Sequence, residues 1–179
     1  DLFVGNRLQK NALYLTTRCG PGQGQITGVR NSWCFRCPSS SFAPHGDRCT
    51  QCDDGRSHSK TGATSAGDCA VCPKGKYRVK GMTDCTICAA GTYSATAGLG
   101  TCIACPKGTF LVDNSTTAAK HDALADCTKC ASGKYSAATK QDTCITCPAG
   151  SGSRAGSTSE HACAACGKGK YRVKGMTDC

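Results

Sequence analysis

The feature that most constrains this chain is a cysteine pair that recurs in phase. Eight C-x-x-C pairs occupy positions 34/37, 49/52, 69/72, 85/88, 102/105, 127/130, 144/147 and 163/166, with Cys19 and Cys179 standing alone. Each pair starts 15 to 25 residues after the one before it, which is the mark of a repeat array. Glycine occupies the third position after the second cysteine in seven of eight units: Gly55, Gly75, Gly91, Gly108, Gly133, Gly150 and Gly169. An aromatic residue occupies the fifth position in six: Phe42, Tyr77, Tyr93, Phe110, Tyr135 and Tyr171. This phasing predicts a tight turn after each pair, where glycine accepts a positive φ. A short strand should follow, its ring covering a neighbouring disulfide.

Composition explains why the cysteines must carry the fold. Of 179 residues only 21 are Leu, Ile, Val or Phe, well below the roughly one-fifth under which chains usually stay disordered. Ordering the backbone costs about 1–2 kcal/mol per residue, which so few large side chains cannot offset by burial. Cross-links must do so, either as disulfides or through metal.

Zinc-ribbon spacing also fits C-x-x-C pairs. Four-ligand modules would nevertheless strand Cys19 and Cys179. A consecutive disulfide scheme uses all 18 cysteines: 19–34, 37–49, 52–69, 72–85, 88–102, 105–127, 130–144, 147–163 and 166–179. A second scheme, linking 1–3 and 2–4 within adjacent pairs, remains open because sequence alone does not choose a connectivity. Loops of this size are each worth about 3 kcal/mol in the chain-entropy treatment. Oxidised pairing implies an extracellular location, secreted or at the cell surface.

A longer period lies on top of the short one. Residues 69–85 read CAVCPKGKYRVKGMTDC and residues 163–179 read CAACGKGKYRVKGMTDC, identical at 15 of 17 positions. With a start at Asp1 and a lone terminal Cys179, this duplication leads to the expectation of a processed piece of a longer array. Residues 1–33 differ in character. They hold eight of the 21 Leu/Ile/Val/Phe residues but one cysteine, and are expected to be a capping repeat, the end of a preceding domain or a docking segment. The repeats proper are assigned to 34–179. No stretch is long and apolar enough to span a membrane.

The motif C-x-x-C-P-x-G-[KT]-[YF], clearest in CAVCPKGKY (69–77) and CIACPKGTF (102–110), resembles the ephrin-receptor-like cysteine-rich repeat, a relative of EGF-like and tumour-necrosis-factor-receptor modules. The resemblance covers about 34–179. It departs at Cys52 and Cys147, where the aromatic is missing, and at Cys37, where the glycine is missing. It implies small disulfide-rich repeats forming an elongated rod of short β-hairpins, with little core and little helix. The segments CAAGTYSATAG (88–98) and CASGKYSAATK (130–140) are also similar to surface proteins of algae and other protists, including those of flagellar hairs (mastigonemes).

Three further features bear on function. The formal charge is +10, and KGKYRVK occurs twice. In an extended strand, alternation would put Lys74, Lys76, Arg78 and Lys80 on one face, and Lys168, Lys170, Arg172 and Lys174 on one face in the second copy. Such a row suits acidic glycans or an acidic chain, or serves as a charged edge that discourages strand pairing. Asn114-Ser115-Thr116 is a glycosylation sequon in the longest loop between pairs. Lastly, the four histidines (His45, His58, His121, His161) are scattered. No catalytic constellation or cofactor motif accompanies them, Asp53-Asp54-Gly55 lacks the alternating ligands of a calcium loop, and no nucleic-acid-binding motif appears.

The function expected from these features is structural and non-enzymatic, without cofactor: a stapled rod in a filament, flagellar hair or cell-surface coat. Its partners would be copies of itself or other coat proteins, with glycans as a further class. The alternative is a receptor or adhesin ectodomain, and a third reading is a zinc-binding scaffold.

Overall fold

The computed structural model describes residues 19–27 and 32–173. Expectations about 1–18, 28–31 and 174–179 lie outside the described residues, among them the docking role of the N-terminal segment, Lys174 and the 166–179 bond.

The described residues form eight two-stranded antiparallel sheets, each a hairpin. Seven share one plan. The two residues at positions +4 and +5 after the second cysteine of a pair bond to the two residues lying between the next pair of cysteines. Thus Ser41–Phe42 pairs with Thr50–Gln51, Arg56–Ser57 with Ala70–Val71, and Lys76–Tyr77 with Thr86–Ile87. The series continues as Thr92–Tyr93 with Ile103–Ala104, Thr109–Phe110 with Thr128–Lys129, Lys134–Tyr135 with Ile145–Thr146, and Ser151–Gly152 with Ala164–Ala165. Each C-x-x-C pair is therefore a two-residue strand with a cysteine at either end. Among the described residues, helix is confined to single 3₁₀ turns at Ala66–Asp68, Ala118–Lys120, Leu124–Asp126 and Glu160–Ala162.

The turn glycines adopt the expected left-handed backbone. All seven at position +3 have φ between 72° and 80°. Ser40, which replaces glycine in the Cys37 unit, adopts the same conformation at φ 57°. Its hydroxyl donates to the carbonyl of Thr83, and its N–H donates to His58 O at 2.9 Å.

The repeat phase reaches into the N-terminal segment. Gly22 lies three residues after Cys19 and has φ 77°. There β1 (Gln23–Thr27) pairs with β2 (Ser32–Arg36), a longer hairpin than the others. Cys19 thus takes the place of a second cysteine, and the first described hairpin hangs from it. Register places Ile26 opposite Trp33 and Gly24 opposite Phe35, so these side chains share a face.

Position +6 builds the interior. Ala43, Arg78, Ser94, Leu111, Ser136 and Arg172 all occupy it, and all are buried. Around them lie buried disulfide sulfurs and two of the phased rings, Tyr93 and Tyr135. In one compact cluster Tyr93 and Leu111 pack against Cys105 and Cys127. Tyr171, by contrast, is 75% exposed.

Candidate functional site

Among the described residues, eight disulfides join Cys19–Cys34, Cys37–Cys49, Cys52–Cys69, Cys72–Cys85, Cys88–Cys102, Cys105–Cys127, Cys130–Cys144 and Cys147–Cys163. The connectivity is consecutive: the second cysteine of each pair bonds to the first of the next. Cα–Cα separations run from 5.5 to 5.9 Å, within the range a disulfide bridges without moving the backbone. With these sulfurs oxidised, none is a thiolate ligand for zinc. Cys52, His58 and Cys69 bring three potential ligand atoms within 4.8 Å of one another, but both sulfurs belong to one disulfide.

The surface between successive units is the most regular feature of the molecule. The N–H at position +3 donates to the carbonyl at position +6 of the following unit. The pairs are Gly22 to Ala43, Ser40 to His58, Gly55 to Arg78, Gly75 to Ser94, Gly91 to Leu111, Gly108 to Ser136, Gly133 to Ser153 and Gly150 to Arg172, all at 2.7–3.0 Å. Position +6 then donates its own N–H one unit further, as Ser94 does to His121 O at 2.7 Å and Leu111 to Gln141 O at 3.0 Å. The second cysteine's carbonyl also accepts from the following unit: Gly98 N–H reaches Cys72 O at 2.8 Å and Gly156 N–H reaches Cys130 O at 2.7 Å. Buried backbone groups must find partners, and here neighbouring units supply them.

Close approach accompanies this ladder. A Cβ on Gly55 would sit 1.9 Å from Gly98 O, one on Gly75 2.1 Å from Ala118 O, and one on Gly108 2.3 Å from Gly156 O. Each contact links a unit to the second one after it. Glycine is therefore required twice over, by its φ and by the backbone pressed against it.

The basic row predicted for KGKYRVK is corrected by the structure. Only Lys76–Tyr77 is strand, and the left-handed turn at Gly75 breaks the alternation that an extended segment would need. Arg78 is 1% exposed and Arg172 is 2% exposed. The Arg78 guanidinium donates to three carbonyls: Met82 O at 2.8 Å, Cys52 O at 3.1 Å and Asp53 O at 3.2 Å. Arg172 donates to Ser151 O at 2.7 Å, Gly133 O at 3.0 Å and Cys147 O at 3.4 Å. Both arginines are fasteners between units, using the fixed fork of donors that lysine lacks. Lys74, Lys80, Lys168 and Lys170 are exposed and Lys76 is half-buried, so a basic surface persists without its arginines.

A second polar cluster was not visible in the sequence. His121 is fully buried. Its Nδ1 lies 2.8 Å from Thr92 O and its Nε2 lies 3.0 Å from Asp113 Oδ2. A carbonyl and a carboxylate both accept, so the ring makes both bonds together only with a proton on each nitrogen. The Thr116 hydroxyl donates to Asp113, and this bond is the chief reason the carboxyl is held far below the usual carboxylate range. Partial burial opposes the shift, while the Thr116 N–H, His121 and the Thr117 N–H reinforce it. This clasp ties the longest loop to the Thr92 strand of the preceding unit. The sequence signal was weak: a single histidine eight residues from an aspartate.

Of the other expected sites, Asn114 is exposed beside this clasp. The remaining cysteine, Cys166, donates its N–H to Gly150 O at 2.9 Å and continues the ladder.

A chain of two-stranded hairpins, each pinned by disulfides and bonded to its neighbours, defines a tandem small disulfide-rich repeat protein. Residues 75–121 and 116–163 match the tyrosine-protein kinase ephrin type A/B receptor-like family. Over residues 75–163 the repeats are ephrin-receptor-like cysteine-rich repeats. No curated protein matches the chain. Repeats of this kind, dense in disulfides, belong to an extracellular module. Among the described residues no helix is long and apolar enough to cross a membrane.

Proposed function

We propose that this segment is a mechanical spacer, a stapled rod within an extracellular filament, flagellar hair or surface coat. The observation that carries this reading is the ladder from position +3 to position +6, repeated at eight successive junctions. A bond pattern that recurs at every junction sets the same relation between each unit and the next. Contacts limited to near neighbours make such an array quasi-one-dimensional. Units of two disulfide-tied strands leave little interior to deform, which suits resistance to tension better than binding by induced fit. Small-angle scattering of the segment is expected to give an elongated particle, its cross-section set by one hairpin and its length by the number of units. A compact, spherical profile would overturn the reading.

The alternative, a receptor or adhesin ectodomain, is favoured by one observation. Ile26, Trp33 and Phe35 form an exposed apolar face on β1 and β2, with Trp33 61% exposed. Aromatic anchors of this kind are common at the centre of protein interfaces. Electron microscopy of native material separates the two readings: regular helical order supports the filament, whereas dispersed particles support the ectodomain. The exposed lysines offer acidic glycans a further, weaker means of attachment.

A further inference from the structure

The sequon at Asn114 lies where the fold both displays it and closes it. Asn114 is exposed, on the loop closed by the Cys105–Cys127 disulfide, whose sequence separation of 22 is the longest of the eight. The residues on either side are held fast. Asp113 accepts from the Thr116 N–H at 3.0 Å and from the Thr116 hydroxyl. Ser115 sits in the left-handed region at φ 60°, and its hydroxyl donates to Cys88 O at 3.0 Å. Asp113 is in turn bound to the buried His121 at 3.0 Å, with Lys120 Nζ 3.4 Å away.

These contacts separate two requirements of the modification. A sugar on the Asn114 side chain meets open solvent, so the finished fold accommodates it. Transfer of that sugar needs an extended acceptor with its threonine hydroxyl available. In the folded loop this hydroxyl is engaged by Asp113, and Ser115 is turned out of the extended region. Acceptor and folded loop are thus mutually exclusive conformations of the same five residues.

We propose that Asn114 carries an N-linked oligosaccharide, attached before the loop closes and the Asp113 clasp forms. In the transfer, the side-chain amide nitrogen of Asn114 bonds to the anomeric carbon of an oligosaccharide carried on a polyprenyl diphosphate. The bond from that carbon to the diphosphate oxygen breaks, the diphosphate leaves with the electron pair, and the amide nitrogen gives up one proton. The Cys105–Cys127 bond and the clasp then fix the loop with the sugar outward. This inference is independent of whether the segment is a rod or an ectodomain.

The test has two arms. The chain is secreted from a eukaryotic host, and the peptide bearing Asn114 is analysed by mass spectrometry before and after a peptide-N-glycosidase. One glycan at Asn114 is expected in wild type and in Asp113→Ala, which keeps the sequon, and none in Asn114→Gln or Thr116→Ala. A wild-type peptide without sugar, from a host that modifies a control sequon, overturns the site. In the second arm, sugar-free chain is offered to microsomal transferase with lipid-linked oligosaccharide, in oxidised and in reduced, unfolded form. At least tenfold more modification of the reduced chain is expected. Equal modification of both forms overturns the proposed order of events.

Discussion

At the scale of single residues, the turn glycines divide into those under backbone contact and those in the open. Gly55 and Gly150 have nearly the same φ, 72° and 75°, but a Cβ on Gly55 meets Gly98 O at 1.9 Å while one on Gly150 meets nothing within 4 Å. A left-handed alanine alone costs about 1–2 kcal/mol. Gly150→Ala should lose about that much, whereas Gly55→Ala should lose about 1–3 kcal/mol more from the forced shift of packed backbone. Denaturant unfolding of the oxidised variants, read by native-state hydrogen exchange in the affected unit, checks the difference; equal losses would show that the close approach carries no weight. Arg78 gives a second test. Arg78→Met keeps the volume of the stem but deprives three carbonyls of donors; only the bond to Cys52 O is fully buried, and one unmet buried group costs about 1–3 kcal/mol. A total near 2–4 kcal/mol is expected by the same measurement, with Arg78→Lys failing to restore it because an ammonium cannot reproduce the fork.

At the scale of elements, each hairpin is too short to be stable by itself, since isolated two-stranded pairs are marginal even when longer. The disulfides and the next unit complete it. The loop from Cys105 to Cys127 depends further on the clasp of Asp113 and His121. Because hydrogen bonds hold the Asp113 carboxyl below its unfolded pKa, the folded state favours the ionised form. That contribution is fully present above the unfolded value of about 4 and is lost only as pH falls through the still lower folded value. Amides of residues 113–121 should therefore keep their exchange protection at about pH 3, where ordinary carboxylates are protonated. In Asp113→Ala that protection should be weak already at neutral pH. Loss of protection in the wild type between about pH 5 and pH 4 would contradict the assignment. Asp68, whose carboxylate accepts the N–H groups of Ser65 and Thr64, is lowered in the same direction by those bonds.

At the scale of the whole molecule, stability follows a nearest-neighbour logic. Among the described residues, hydrogen bonds reach from one unit to the second one after it, as in Ser40 to Thr83 or Arg172 to Gly133. In such an array, protection should rise from terminal units toward the middle, where every unit has neighbours on both sides. Hydrogen exchange across the full chain is expected to show that gradient around Gly75–Ser136; uniform protection from end to end would indicate a single cooperative body instead.

Much of this was legible in the order of residues, because covalent and conformational demands act locally. Paired cysteines announced the staples, phased glycines the left-handed turns, and phased aromatics the strands that follow them. Even Ser40, the exception to the glycine rule, was marked by its place in the count. What the order of residues did not convey is burial. Reading KGKYRVK as an alternating strand put Arg78 on the same open face as Lys74, whereas a two-residue strand and a carbonyl-lined space between units draw the guanidinium inside. Position +6 holds alanine, histidine, arginine, serine and leucine in different units, so no side-chain pattern identifies it as the interior. It is defined by backbone bonds to other units, which side-chain identity does not encode. The repeat and its turns follow from the order of residues alone, which left two cysteine pairings open; the folded chain takes the consecutive one. Which residues face inward is set by the packing of successive units, because it depends on how the next two units lie against each one.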